Sequence, residues 1–570
     1  MDVVTATLLI LLAGMATVIG GILLLRLHAF LALLLGAMVV GLLTPESTRE
    51  GFLLEQASVE VVGGQGESLL IATSNGRPQP ERDFAARDSG VRIGDPFVLL
   101  RHDTQANRYR KVGDLSVVAL PPDEGGSRER AELHSVGDGP NLAWQPGDLI
   151  LSTVAVQAAR KAASGTIGSR IASGFGNTCA SIGILIAMAS IIGKTLLDSG
   201  AADRIVRTML RRCGESRAPV AFMLGGFLLG VPVFFDTVFY LMIPLGKAMR
   251  LRTGRNYLLY VLTIVCGGTM AHSLVPPTPG PLFVAEELHV NLGTMILGGI
   301  SVGLCASTAG YLFAAWLNRR WDLPLRDSED FSLADVEAAL QVDESQLPPF
   351  WLAILPVLLP VVLIAGLTTM EELPLWGTLD PTLKRICSTL GEKNMAISLA
   401  AAIGLMMVVH QKRESLQALT SSVQKSLASA GGIILITAAG GAFGNLLQQT
   451  GIASLIEQLP SSSPAVMCVL AWLITMAIRT AQGSATVAMI TAVGVLGGIQ
   501  MDAHPLYLAL AIGTGSKPIG WMNDSGFWVM TRMSGMTEAE GLRSITPLSC
   551  VMGVTGLIAT LVGVTLWPHL

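Results

Sequence analysis

Charge is scarce in this chain. Only 14% of its 570 residues are Asp, Glu, Lys or Arg, against 51% hydrophobic. A soluble enzyme is excluded by that balance and by a mean hydropathy of +0.56. The apolar residues come in blocks long enough to cross a bilayer, which takes about 20 in a row. The net charge of −4 says little about partners, because charges in such a chain report loop orientation. No nucleic-acid partner is expected. Cysteine is sparse and scattered: Cys179, Cys213, Cys266, Cys305, Cys387, Cys468 and Cys550 form no CxxC pair and no Cys/His cluster, which excludes a disulfide framework or a zinc site. No nucleophile–base set, phosphate loop or metal motif stands out, and Gly513-Thr514-Gly515 lacks a strand–helix context. Neither enzymatic activity nor a cofactor is expected. Leu8–Leu25 has no basic leader and no small-residue cleavage site, so it reads as a transmembrane helix rather than a signal peptide.

What the chain does have is interrupted apolar segments. The run Tyr257–Met270 leads into Ala271-His272-Ser273-Leu274-Val275-Pro276-Pro277-Thr278-Pro279-Gly280-Pro281. Proline lacks an N–H and clashes with the preceding turn, so no helix continues through this stretch. Between membrane-length segments it predicts a spanning helix broken at depth. Such breaks are tolerated only where the freed backbone lines a cavity or is buried in protein, and they mark transporter binding sites. Earlier, two basic runs (Lys194, Arg204, Arg207, Arg211, Arg212, Arg217, then Lys247, Arg250, Arg252, Arg255) flank Pro219–Gly246. That stretch is long for one crossing and short for two. A re-entrant hairpin with its tip at Pro232 is the economical solution.

The sequence divides into five parts. Residues 1–44 are the first two transmembrane helices. Residues 45–155 form a polar insertion with short alternating runs at Val59–Val62, Ser68–Ala72, Pro96–Arg101, Leu115–Leu120 and Leu149–Thr153, which reads as β-rich and soluble. Residues 156–317 complete a first transport repeat. Residues 318–348 are a cytoplasmic linker, and residues 349–570 a second repeat. The repeat shows as motifs at a fixed offset: Gly193-Lys-Thr-Leu-Leu-Asp-Ser-Gly200 answers Gly444-Asn-Leu-Leu-Gln-Gln-Thr-Gly451, and 444 − 193 = 251. At that offset Val231–Phe235 meets Gln482–Thr486, and His272–Pro277 meets Asn523–Trp528. The basic loops of the first half correspond to 445–463 and 498–506, which contain no Lys or Arg. By the positive-inside rule the halves are inverted, the layout of alternating access. The fold expected is an all-α polytopic membrane protein, an inverted repeat of about five transmembrane helices plus one re-entrant hairpin per half, with the insertion extracytoplasmic.

Candidate site residues cluster at these breaks. Asp236, an acid at a hairpin tip, suits a proton carrier, because acids at membrane depth are rare and usually functional; the alternative is a shallow, wet hairpin. Arg479 and Lys517 could bind an anion, Arg by a two-pronged contact with a carboxylate; equally, either could pair with Asp236 or Asp524 or snorkel to the interface. His272 is a proton relay or a histidine hydrogen-bonded to broken backbone. Ser484, Thr486, Asn523 and Ser525 offer donors and acceptors to a polyhydroxy ligand, and helix starts favour an anion.

Taken together, Gly193-Lys194 with Asp198-Ser199-Gly200-Ala201, Phe235-Asp236, His272 with Pro276-Pro277-Thr278-Pro279-Gly280-Pro281, Arg479 with Gly483-Ser484-Ala485-Thr486-Val487-Ala488, and Asn523-Asp524-Ser525-Gly526-Phe527-Trp528 resemble the gluconate permease (GntP) family. The resemblance covers nearly the whole chain except the insertion. It implies a symporter of gluconate or a related hydroxy acid with protons, in the cytoplasmic membrane. Thr278 joins Arg479, Lys517, Ser484, Thr486, Asn523 and Ser525 as substrate-binding, with Asp236, His272 and Asp524 in proton coupling. The family usually has His at Thr278, Ser-His at Gly520-Trp521, an apolar residue at Lys517 and commonly Glu at Asp236. The expected partners are a small organic anion, protons and the lipid bilayer, with sodium as the alternative coupling ion and homo-oligomerisation left open. A rival reading is a membrane sensor whose insertion binds the ligand.

Overall fold

The computed structural model describes residues 3–25, 27–59, 61–65, 68–72, 92–103, 108–119, 130–136, 145, 148–326, 347–373, 375–412, 416–451, 463–497, 501–522 and 524–569. They fall into two compact units. One comprises Met1–Met15, Gly36–Ser173 and Asn445–Ile456; the other comprises Ala16–Leu35, Gly174–Gly444 and Glu457–Leu570.

In chain order the helices of the first half are α1 (Val3–Leu23), α2 (Ala29–Leu43), α3 (Glu46–Ala57), α4 (Thr153–Ala163), α5 (Ile167–Asp198), α6 (Ala201–Cys213), α7 (Ala218–Gly230), α8 (Phe235–Thr253), α9 (Tyr257–Leu274), α10 (Pro279–Glu287) and α11 (Leu292–Arg320). The second half contributes α12 (Phe350–Glu372), α13 (Pro381–Gly391), α14 (Lys393–Lys412), α15 (Leu416–Gln448), α16 (Pro464–Gln482), α17 (Ala485–Leu496), α18 (Leu506–Gly515), α19 (Ser525–Ser534) and α20 (Glu538–Leu566). Among the described residues eight helices are long and apolar enough to cross a membrane, or nine with the pair α2–α3, which bends by 103°. The ten crossings counted from sequence include the short apolar helices Thr5–Gly21 and Leu506–Gly515.

The repeat is legible element by element. Shifted by 251, α5 falls on α15, α7 on α16, α8 on α17, α9 on α18 and α11 on α20. The backbone repeats too. Gly200 (φ 74°) and Gly451 (φ 77°) both end a long helix in the left-handed region, where glycine has no Cβ to clash. Each donates its N–H three residues back, to Leu197 O and Gln448 O, both at 3.0 Å. The hairpin tips also align. The α7–α8 gap is 231–234, and its counterpart between α16 and α17 is Gly483-Ser484. The broken helices align less well. The first break, 275–278, would map to 526–529, but the second break is 516–524, and Ser525–Trp528 already open α19. The sequence equation of His272–Pro277 with Asn523–Trp528 is therefore out of register by about a turn or two. The second half breaks earlier because Lys517, Pro518 and Gly520 end α18.

The described part of the insertion is β-structured, as its alternation predicts. Strands β1 (Val61–Gln65), β2 (Ser68–Ala72), β3 (Pro96–Asp103), β4 (Arg108–Ala119), β5 (Arg130–Ser135) and β6 (Leu149–Ser152) form one antiparallel sheet in the order β1-β2-β5-β4-β3-β6. The Val59 N–H donates to Ile150 O at 2.9 Å, which ties the chain entering β1 to β6, the other end of the sheet. Phe97, Leu99, Leu115, Val117, Leu133 and Ile150 pack together on one face. Successive strand residues point to opposite faces, so Val98, Leu100 and Leu151 lie on the other, and they pack against Leu54 of α3 and Val156 and Ala159 of α4. Both faces of β3 are thus buried, and it reads as a continuous apolar run. Arg101 holds Asp148 by two hydrogen bonds of 2.7 Å. Burial works against the Asp148 charge, but the Arg101 fork and the Gln145 N–H outweigh it and hold the carboxyl below the usual carboxylate range. Sequence reading missed α3 and β5. The first follows a proline in a polar stretch, and the second is short and charged.

Candidate functional site

Four helices begin at the tips and breaks: α8, α10, α17 and α19. They pack reciprocally. α10, which follows the first break, lies against α17, which follows the second tip. α19, which follows the second break, lies against α8, which follows the first tip. This exchange is what a pseudo-two-fold relation between the repeats demands. It gathers four helix N-termini, each with unpaired N–H groups and a positive dipole end. Ser484 caps α17, accepting from the Val487 N–H at 3.3 Å, and Asp524 caps α19, accepting from the Gly526 N–H at 2.9 Å. No side chain caps α8 or α10.

The charged candidates converge here. Arg479, in the last turn of α16, is only 5% exposed. Its guanidinium pairs with Asp524, and its Nε donates to Ser516 O at 3.1 Å. Of the two readings open in the sequence, pairing with Asp524 is the one observed. The pairing is incomplete, because Arg479 Nη1 is enclosed without a partner. Lys517 is buried, 8% exposed, and donates to Thr269 O at 2.8 Å. It lies within electrostatic reach of Arg479 and Asp524, yet forms no ion pair among the described residues. His272 stands edge-on to Phe234, ring centroids 6.2 Å apart, with Nδ1 enclosed and unpartnered, and within electrostatic reach of Lys517. Asp236, in the first turn of α8, is exposed rather than buried. Asp524 is its nearest charged influence. Thus Arg479 and Asp524 are paired, and Asp236, Lys517 and His272 lie within electrostatic reach of that pair or of one another.

The polar candidates are less uniform. Thr278 is buried at the start of α10, and its hydroxyl donates to Val275 O at 2.8 Å, so it serves the break. Thr486 lies in the first turn of α17, where α10 comes so close that a Cβ on Gly280 would sit 3.7 Å from its Cα. Ser525 is exposed at the first position of α19. Asn523 lies outside the described residues.

Sequence reasoning missed the groups that are enclosed yet unsatisfied. Among the described residues seven buried side-chain polar atoms have no partner, and six of them belong to His272, Ser273, Arg479, Gln482 and Thr491. An unpaired buried polar group costs about 1–3 kcal/mol. These six are concentrated on α9, α16 and α17. A glutamine inside an apolar run next to a tip was the available signal.

Comparison with known proteins places the chain in a family. Residues 148–566 match the model of the GntP family permease. The chain is 32% identical over 391 residues to the gluconate permease of Pseudomonas aeruginosa, covering 68% of this chain and 85% of that protein. It is 29% identical over 431 residues to the inner membrane permease YgbN of Escherichia coli, covering 72% and 92%. It is also 29% identical over 400 residues to the Gnt-II system L-idonate transporter of Escherichia coli, covering 69% and 87%. In fold it is similar to the YdaH transporter of Alcanivorax borkumensis, with a TM-score of 0.51, 16% identity, and coverage of 70% and 89%. Broken helices, reciprocal packing and sequence likeness converge: the chain belongs to the GntP permease family and is a multi-pass transport protein of the cytoplasmic membrane, not an enzyme.

Proposed function

We propose that this permease takes up gluconate or a related sugar acid by symport with protons. One observation carries the reading: the buried Arg479, with Nη1 unpartnered, lies within electrostatic reach of a buried Lys517 that forms no ion pair among the described residues. Relatives named as gluconate permease and L-idonate transporter suggest the ligand class.

Charge counting gives a coupling rule. Arg479 and Lys517 bring two positive charges; Asp524 and Asp236 bring two negative ones. Unbalanced charge is costly away from water. A proton on Asp236 leaves one surplus positive charge, and a monoanionic substrate cancels it. Proton and substrate each favour the other's binding, which is positive linkage. The rule predicts one proton per monoanion. The carboxylate sits on Arg479 Nη1 and Lys517, and the uncapped starts of α8 and α10 add dipoles of the same sign. The inverted halves then expose this site to either side in turn, with the insertion outside the cell.

The test is uptake of labelled gluconate into proteoliposomes under an imposed pH gradient. Accumulation follows an inward proton gradient and collapses with a protonophore. Asp236→Asn abolishes uphill accumulation but keeps gluconate exchange. Uptake that follows a sodium gradient at fixed pH, with no proton requirement, would assign the coupling to sodium. Failure of every sugar acid and hydroxy acid to accumulate would overturn the reading.

A further inference from the structure

We propose that Gln482 is the specificity residue of this site and reads a hydroxyl close to the substrate carboxylate. The inference rests on the sugar-acid reading above and adds a group that the charged set does not contain. Gln482 is the last residue of α16. It is 8% exposed, and neither Nε2 nor Oε1 has a partner. A primary amide offers two donors and two acceptor lone pairs, and here all of them are withheld from both water and protein. Among the described residues it is the one side chain with two separate polar atoms enclosed and unpartnered.

Position says what the amide faces. Gln482 follows Arg479 by three residues, and such residues are neighbours on one helix face. Arg479, with Nη1 unpartnered, and Gln482, with its amide unpartnered, thus share one face of α16 at the tip. The tip is fixed behind them by Gly483 at φ 87° and by the Ser484 cap on α17, so neither is free to swing far. A guanidinium nitrogen beside an amide fits a carboxylate with a hydroxyl one or two carbons away. The amide oxygen accepts from that hydroxyl, and the amide N–H donates to it or to the next one. A plain carboxylate satisfies Arg479 alone and leaves the amide unpaired. Sites built to hydrogen-bond a hydroxyl reject analogues that lack it far more strongly than apolar pockets reject an extra one.

The experiment measures uptake and competition in proteoliposomes for gluconate, for its 2-deoxy and 3-deoxy analogues and for hexanoate, with the intact protein and with Gln482→Leu and Gln482→Asn. For the intact protein, gluconate out-competes the deoxy analogues by about 100-fold or more. Gln482→Leu raises the gluconate KM at least tenfold and brings gluconate and the deoxy analogues to within about threefold of each other, while the maximal rate and the pH dependence stay as they were. Gln482→Asn, which keeps an amide one methylene shorter, restores part of the preference and guards against a variant that does not fold. A gluconate preference that survives undiminished in a folded Gln482→Leu protein overturns the inference. Loss of all transport in both variants despite native thermal unfolding also overturns it, because a specificity residue leaves the charged subsite working. Absence of any sugar-acid transport by the intact protein instead overturns the functional reading beneath it.

Discussion

The two broken helices do the same job by different means. The first break is four residues, 275–278, all buried. Two of them are Pro276 and Pro277, joined by a cis bond, and Pro279 and Pro281 follow. Proline has no N–H, so this break frees few donors. The Val275 N–H returns to Ala271 O at 2.9 Å, and Thr278 closes the turn with its hydroxyl. The second break is nine residues, 516–524, with Trp521 and Met522 exposed. Its freed backbone is satisfied from outside. The Gly520 N–H donates to Ser549 Oγ at 3.3 Å, and Gly520 O accepts from Thr546 Oγ1 at 2.6 Å. Thr480 O accepts from the Trp521 indole at 3.1 Å. The first break is self-contained; the second is propped open by α20. One break supplies an uncharged frame, and the other carries Lys517 and Asp524.

Three substitutions sharpen or break that contrast. The largest effect is expected at Arg479, which Asp524 ties to the charged break. Arg479→Lys keeps the charge but loses the fork that meets carboxylates, and should cut gluconate uptake about 100-fold or more. Near-normal uptake in that variant would remove the second break from the binding site. Lys517→Met leaves the fork and removes the surplus charge; KM for the anion should rise about tenfold, the effect of losing one modest electrostatic contact. The smallest effect is expected at the first break. Thr278→Val should cost about 1 kcal/mol of stability by thermal unfolding and change transport less than twofold. Uptake lost as deeply as in Lys517→Met would mean that the frame touches substrate after all.

Much of this was legible in the sequence, for physical reasons. Prolines and a glycine inside an apolar run leave a membrane helix no way to continue, so the first break was visible from composition. The matched glycines at 200 and 451 exposed the repeat, and the basic loops of one half alone were what suggested that the halves are inverted. The pairing of Arg479 with Asp524 was one of two options, because residues 45 apart become neighbours only through the packing of α16 on the second break. The register of the second break was misjudged for a related reason. Lys517, Pro518 and Gly520 stop α18, but what holds the long break open is Thr546 and Ser549 on α20, and no local pattern announces a partner that lies more than 20 residues onward. Gln482 was passed over because an amide beside a glycine and a serine looks like turn chemistry until its burial is known.

The single hydrogen bond from Val59 to Ile150 bears on how this protein came by its insertion. It brings the entry and exit of roughly ninety residues within hydrogen-bonding distance of each other. A module whose two ends meet can be spliced into a helix connection without stretching it, and removed at the same neck without leaving a gap to bridge. The match to the family begins at residue 148, at the edge of β6, just where such a seam would fall.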